Sequence, residues 1–380
     1  MKALVVGAGI GGLTAAIALQ RAGIEAVVLE RATELREVGA GLLLGANAIK
    51  ALDKIQLGDA VRGIGASTVV GTLRSWNGEV LVSLSADRVT ELVGAGSFAV
   101  HRAELQAELL RELGEENVRL GAGCTGFAQD QDGVKVSLDD GDELNADFLI
   151  GADGIHSTIR NQLLGDEKPV YAGYTAWRGV AEYQNDLLTG GGGFESWWRG
   201  TRFGCARMGN GSMYWFATRN APERGDDGPT GSRRTLLEMF SGWHDPIKDL
   251  IEATGESDIR RDDVYDRDPV KRWGEGRVTL LGDAAHPMTP NLGQGACQAI
   301  EDAVVLADCL RGKTGIAAAL ESYEARRTVR TSVIVRLSRR MGRVGQLEHP
   351  LLCRVRDTAV KRMPDSIQRR QLRMVLGYDT

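Results

Sequence analysis

The stretch that most constrains the fold is Ala3 to Glu30 at the N-terminus. Ala3 to Val6 is a short apolar run ending at Gly7, the pattern of a strand buried on both faces of a parallel sheet. Gly7-Ala8-Gly9-Ile10-Gly11-Gly12 follows. Leu13, Ala16, Ile17 and Leu19 then mark an apolar helical face that stops near Gly23, and Ala26 to Leu29 reads as a second strand ending at Glu30. Strand, G-x-G-x-x-G, helix, strand and acid, in this order, are what a dinucleotide-binding βαβ unit requires. Gly7 permits the tight turn, Gly9 lets a pyrophosphate approach the backbone, and Gly12 lets helix and strand pack closely. Glu30 can accept hydrogen bonds from a ribose. The pattern alone does not separate NAD from FAD.

Two later stretches repeat this arrangement. Leu144 to Ile150 reads as one strand and runs into Gly151-Ala152-Asp153-Gly154, with Ser157 and Arg160 on the helix that follows. Val278 to Leu281 reads as another, followed by Gly282-Asp283-Ala284-Ala285-His286-Pro287 and a helix opened by Gly293, Gln294 and Gly295. An acid at a strand end beside a glycine-opened helix N-terminus suits a polar cofactor, because free backbone N–H groups and the helix dipole both face it. Three such strand ends in one chain call for a long, extended cofactor.

Composition narrows the remaining classes. The 380 residues carry 46 Lys plus Arg against 51 Asp plus Glu, too balanced for a whole-protein field that would draw in nucleic acid. No run reaches the roughly 18 apolar residues of a membrane helix. The apolar N-terminus mimics a secretion signal, but its glycines have a better use in the βαβ unit. Five scattered cysteines show neither metal-ligand spacing nor a C-x-x-C pair. They are expected as buried thiols in a cytoplasmic protein. Asp262, Asp263, Asp266 and Asp268 lack His or Cys companions and are expected at solvated strand and turn positions, not at a metal.

Between the motifs, Glu34 to Gly41 is expected as a loop, Asn47 to Ile55 as a helix, and Thr68 to Leu84 as a hairpin turning at Asn77-Gly78. Arg102 opens a helix reaching Leu113, placed either to reach a phosphate or ribityl chain or to face solvent. Tyr171 to Tyr183, Gly193 to Arg199, Thr201 to Met208 and Ser212 to Thr218 are aromatic-rich strands, most of whose rings belong in a core, with a subset left to roof the cofactor. His244 is expected as a capping or surface residue. Ile316 to Leu337 is a long helix broken near Gly342. The basic segment Ala325 to Arg373 is read first as a solvated helical face, then as an intramolecular partner for acids or a contact with anions.

These motifs together resemble the FAD-dependent group A aromatic monooxygenases, the flavoprotein family of salicylate, hydroxybenzoate and urate hydroxylases, over nearly the whole chain. The resemblance implies an α/β fold: a Rossmann-like FAD-binding domain with inserted strands (1–170, returning at 271–310), a mixed β-sheet substrate region (171–270) and C-terminal helices (311–380). It implies that Gly7, Gly9, Gly12, Glu30 and Arg31 hold the ADP half of a tight, non-covalent FAD, with Arg102 at its middle. Asp153 lies in a stretch used for FAD and nicotinamide contacts. Asp283 would bind the ribityl chain, Gly293, Gly295 and Ala296 would present backbone N–H groups to the flavin, and Pro287 would lie near its reactive face. NADPH or NADH would bind transiently, because only one dinucleotide fingerprint is present. O₂ would add at flavin C4a, and the hydroperoxide would hydroxylate a small electron-rich aromatic substrate. Arg202 and Tyr214 match an Arg and a Tyr of the urate-hydroxylating branch and are candidates to orient the substrate and exchange a proton; Arg178, Arg199 and Arg207 compete for the first role. Where that branch is expected to carry an acid after Thr-Pro, this chain has Asn291, which cannot supply the same negative charge and leaves the choice of urate open. Epoxidation or Baeyer-Villiger oxygen insertion, and a flavin-binding regulator that never turns over, are the alternatives. No nucleic acid or membrane span is expected, and the assembly is read as monomer or homodimer.

Overall fold

The computed structural model describes residues 1–35, 40–184, 192–312 and 315–380. The expected Glu34 to Gly41 loop therefore lies partly outside the described residues, and its last residue instead begins the strand Gly41–Leu44. Five parallel strands form the first sheet, in the spatial order Val278–Leu280, Phe148–Gly151, Lys2–Val6, Glu25–Leu29, Val118–Arg119. Ala3, Val5, Val28, Leu149 and Leu280 are fully or almost fully buried in it, as a parallel sheet covered on both faces requires. Helices Ile10–Arg21 and Gly295–Leu310 pack together against the sheet. Gly11 permits that approach: a Cβ there would sit 2.9 Å from Leu281 Cδ2 and 3.0 Å from Ala299 Cβ.

The single strand expected over Leu144 to Ile150 is two. Glu143–Ala146 belongs to a three-stranded antiparallel sheet and Phe148–Gly151 to the parallel one. Asp147 makes the hand-over, its carboxylate accepting the Lys2 N–H at 2.6 Å.

A seven-stranded sheet forms the second layer, in the order Arg260–Asp266, Val170–Ala181, Met213–Asn220, Thr201–Arg207, Gly192–Trp197, Val69–Ser75, Val80–Ser83. The Asn77-Gly78 hairpin thus adds its strands to the aromatic-rich ones. Trp177, Phe194, Phe203 and Trp215 point to one face and form a core with helices Gly231–Met239 and Ile247–Glu252. Tyr214 and Phe216 alternate to the opposite face, where Tyr214 and Val180 pack beside Leu43 and Ala99 of the first body.

The expected break near Gly342 does not occur, and one helix runs Ile316–Gly345. A Cβ on Gly342 would lie 2.5 Å from Asn291 Nδ2, and one on Gly345 2.7 Å from Arg202 Nη1. Close approach, not interruption, explains these glycines.

Candidate functional site

Because the five strands are parallel, their carboxyl ends lie along one edge, and Gly7, Glu30, Asp153 and Asp283 are all at or just beyond it. Polar ligands of open α/β sheets bind at this edge. Gly7 adopts φ +107°, and its would-be Cβ meets Ala152 O; a Cβ on Gly12 would overlap Gly7 O. Nothing lies within 4 Å of the same position on Gly9, so the backbone there is open to a ligand. Glu30 closes the turn, accepting from Ala8 N at 2.8 Å and Ala32 N at 3.0 Å, while Gln106 donates to Ala8 O at 2.8 Å. Arg31 is exposed beside it.

Arg102 and Asp283 face each other electrostatically. Both are accessible to solvent, yet desolvation by surrounding protein is the largest influence on each, lowering the arginine and raising the aspartate. Accessible groups so enclosed line a deep cleft. Helices Ile10–Arg21 and Gly295–Leu310 both begin without a side-chain cap, the second at Gln294 after Gly293 in the left-handed conformation at φ +60°. Their first-turn N–H groups suit a diphosphate and an electron-rich ring. Open backbone at Gly9, two uncapped helix starts and a carboxylate facing a cation make a set that fits FAD.

Asp153 has a second duty. Its Oδ2 accepts from Thr158 N at 2.7 Å, capping the helix Thr158–Leu164, while Oδ1 is buried without a partner. Burial raises this carboxyl above its ordinary value, against the pull of its hydrogen bonds. Arg160, 1% exposed, donates to Ala284 O and Ala285 O at 3.0 and 3.1 Å, so the second motif clamps the backbone of the third.

Behind the Asp283 loop lies a buried network that the sequence reading missed. Asp302 accepts from Gly282 N at 3.0 Å, meets His286 Nε2 at 2.6 Å and receives Arg327 Nε at 2.6 Å. Arg327 also reaches Glu301, which binds Arg330 at 2.7 Å and Asn47 at 2.6 Å. Burial opposes ionisation of Asp302, but His286 and Arg327 outweigh it and hold the carboxyl at about 2. Tyr378 lies over the Arg330 guanidinium at 4.2 Å. A buried carboxylate inside an otherwise apolar helix gives no periodic signal, so only the pairing of Glu301-Asp302 with Arg327 could have hinted at it.

The expectation of a solvated arginine face holds for only part of the segment: Arg336, Arg340 and Arg343 are exposed, but Arg327 is 0% exposed, and Arg339 pairs with Asp266 and Asp268 at 2.8 and 2.5 Å. Internal pairing with acids describes this part of the segment. Of the carboxylates expected at solvated positions, Asp266 is instead 2% exposed and Asp262 meets Arg178 at 2.9 Å, while Asp268 is exposed as expected. His244 bridges instead of capping, with Nε2 2.7 Å from Ser196 Oγ and its ring against Phe194. Four cysteines are buried thiols, whereas Cys124 is half-buried. No metal-binding cluster exists among the described residues.

Tyr214 and Arg202 lie on the same face of the seven-stranded sheet, in register with Ala206 and Thr218. Burial raises the Tyr214 phenol above its ordinary value, with Arg178 acting in opposition. Arg202 is 3% exposed; it donates to Asn291 Oδ1 at 2.9 Å, and Glu195 answers its charge at 3.2 Å. Asn291 Nδ2 contacts Tyr174 OH, Thr289 Oγ1 and Ser338 O at 3.1, 2.8 and 3.1 Å. Pro287 is buried on the intervening loop.

Residues 1–338 match the FAD binding domain family. The chain is 45% identical over 363 residues to an aurachin C monooxygenase/isomerase of Stigmatella aurantiaca, covering 96% of this chain and 94% of that one. It is 37% identical over 342 residues to an FAD-dependent urate hydroxylase of Klebsiella pneumoniae, covering 90% and 89%. The structure of Klebsiella pneumoniae HpxO complexed with FAD and uric acid superposes with a TM-score of 0.94 at 33% identity, covering 99% of this chain and 97% of that one. Fold, strand-edge cleft and these likenesses converge on one assignment: the chain belongs to the FAD-dependent group A aromatic monooxygenases.

Proposed function

We propose that this monooxygenase oxygenates a neutral, electron-rich heteroaromatic ring held between the Pro287 to Asn291 loop and the Tyr214 face of the seven-stranded sheet. The observation that carries this reading is the Arg202, Asn291 and Tyr174 cluster. The Arg202 charge is already answered by Glu195, and the Asn291 amide is engaged within the protein. What remains is a protonated Tyr214 hydroxyl, suited to donating a hydrogen bond to a ring oxygen. Bound FAD supplies acceptance of hydride from NADH or NADPH and activation of O₂. The chain's own part is to hold the cofactor through Gly7, Gly9, Gly12, Glu30, Arg102, Asp283 and the Gly293 to Ala296 turn, to orient the ring, and to exclude water from it.

Aurachin C, which appears in the name of the relative at 45% identity, is the first compound to test. NADPH consumption should be stimulated by aurachin C or another neutral ring among phenols, quinolones and purines, and urate should stimulate weakly. Stimulation confined to anionic substrates would overturn the proposal.

A further inference from the structure

The arginines of the C-terminal helices divide into two populations. Residues 325–373 contain fourteen Lys plus Arg and three Asp plus Glu, in a chain whose net charge is −5. Arg326, Arg327, Arg330, Arg339, Arg356, Lys361 and Arg369 are ion-paired. Arg336, Arg340, Arg343, Arg354 and Arg362 are exposed and, among the described residues, have no carboxylate partner.

Their placement is ordered. Val329, Val333, Arg336, Arg340 and Arg343 recur at intervals of three and four, forming one solvent-facing stripe of the helix Ile316–Gly345. The next helix, Pro350–Lys361, is fastened by its buried side to the end of that helix and the turn after it: Arg356 Nη1 donates to Gly345 O at 3.3 Å, and Cys353 Sγ to Leu347 O at 3.2 Å. Its opposite side presents Leu351, Leu352 and Val355, which are 60%, 51% and 64% exposed, together with the exposed Arg354 and Arg362.

We propose that this surface docks the enzyme on an anionic lipid bilayer, with the arginines on the headgroups and Leu351, Leu352 and Val355 in the acyl boundary. Interfacial helices need both elements, a cationic face and protruding aliphatic side chains. A nucleic acid would use the cations but offers no place for three aliphatic side chains. An acidic protein face, including that of a second copy, would set them against charge. Contact is peripheral, because no described helix is long and apolar enough to cross a membrane.

Flotation of the full-length, FAD-loaded protein with vesicles tests this. Binding should be strong to vesicles of equal parts phosphatidylcholine and phosphatidylglycerol, weak to phosphatidylcholine alone, and reduced by salt. Each cation near such a surface contributes roughly fivefold in affinity, so Arg336→Gln with Arg340→Gln and Arg343→Gln should lower binding by at least about tenfold. Leu351→Ser with Leu352→Ser and Val355→Ser should do the same, with melting temperature and FAD content unchanged. Absence of flotation, equal flotation on both vesicle types, or binding indifferent to both variants would overturn the proposal. So would a dimer, seen by analytical ultracentrifugation without lipid binding, that these substitutions dissolve. The wild-type comparison of the two vesicle types is decisive by itself if a variant fails to fold.

Discussion

Asp283 and Tyr214 carry the sharpest expectations at the scale of single residues. A carboxylate held in an enclosed cleft against Arg102 is placed to receive hydroxyl groups of the ribityl chain, and a hydrogen bond to a charged group contributes about 1.5–3 kcal/mol. Asp283→Ala should therefore raise the dissociation constant for FAD by roughly tenfold to a hundredfold by that measure, read by flavin fluorescence on titration of the apoprotein. Unchanged affinity would remove Asp283 from this role. Tyr214→Phe should leave FAD binding unchanged and lower kcat by about 100- to 10,000-fold, the scale of one positioned proton donor. The sign of its pH dependence follows from burial: a phenol raised above its ordinary value of 10.0 stays protonated through neutral and mildly alkaline pH. The wild-type rate should show no loss assignable to Tyr214 below that value, and an activity lost between pH 7 and 9 in wild type but not in Tyr214→Phe would contradict it.

Among the elements, the helices Gly295–Leu310 and Ile316–Gly345 hold the Asp283 loop in place through Asp302 and Arg327. Asp302 has a folded value of about 2 against 3.8 for the free group, and a carboxylate so depressed stabilises the fold above its unfolded value. That contribution, on the order of 2 kcal/mol, should be fully present above about pH 4 and vanish as pH falls through about 2. Urea melts across this range should show the loss in wild type and not in Asp302→Asn. The variant should itself be less stable at pH 7, by less than the roughly 3–5 kcal/mol of a fully stranded buried charge, because Arg327 keeps Glu301 and Gln298. Gly342→Ala sets two effects against each other. Helix propensity favours alanine by about 1 kcal/mol, but the new Cβ would stand 2.5 Å from Asn291 Nδ2, and Tyr174, Thr289, Ser338 and Arg202 hold that amide in place. Overpacking of about 1–3 kcal/mol should win, giving a lower melting temperature; a rise would show that Asn291 yields.

Across the whole molecule, the parts legible in the sequence were those whose cause is local. The Gly7 to Gly12 turn, Glu30, the Asp153 and Asp283 strand ends and the Asn77-Gly78 hairpin each follow from a few neighbouring residues, and the parallel sheet brings the first four to one edge. What the sequence did not show depends on partners far along the chain. Gly342 reads as a break because its reason is Asn291, and the ion pairs of Arg327 and Arg339 are hidden because Asp266, Glu301 and Asp302 are distant in sequence. Asp147 switches the chain between two sheets, which alternation of apolar residues cannot reveal. The same long-range assembly brings Arg102 and Asp283 together and sets Tyr214 on the sheet face that packs against the first body, and on family and fold the chain couples reduction of FAD to oxygenation of a ring. The most direct test is the reaction under ¹⁸O₂ with NADPH, FAD and aurachin C or the best neutral ring of the panel, followed by mass spectrometry. One ¹⁸O atom should appear in the product for each NADPH oxidised. NADPH oxidation that yields only hydrogen peroxide across the panel, or a product whose new oxygen comes from water, would contradict it.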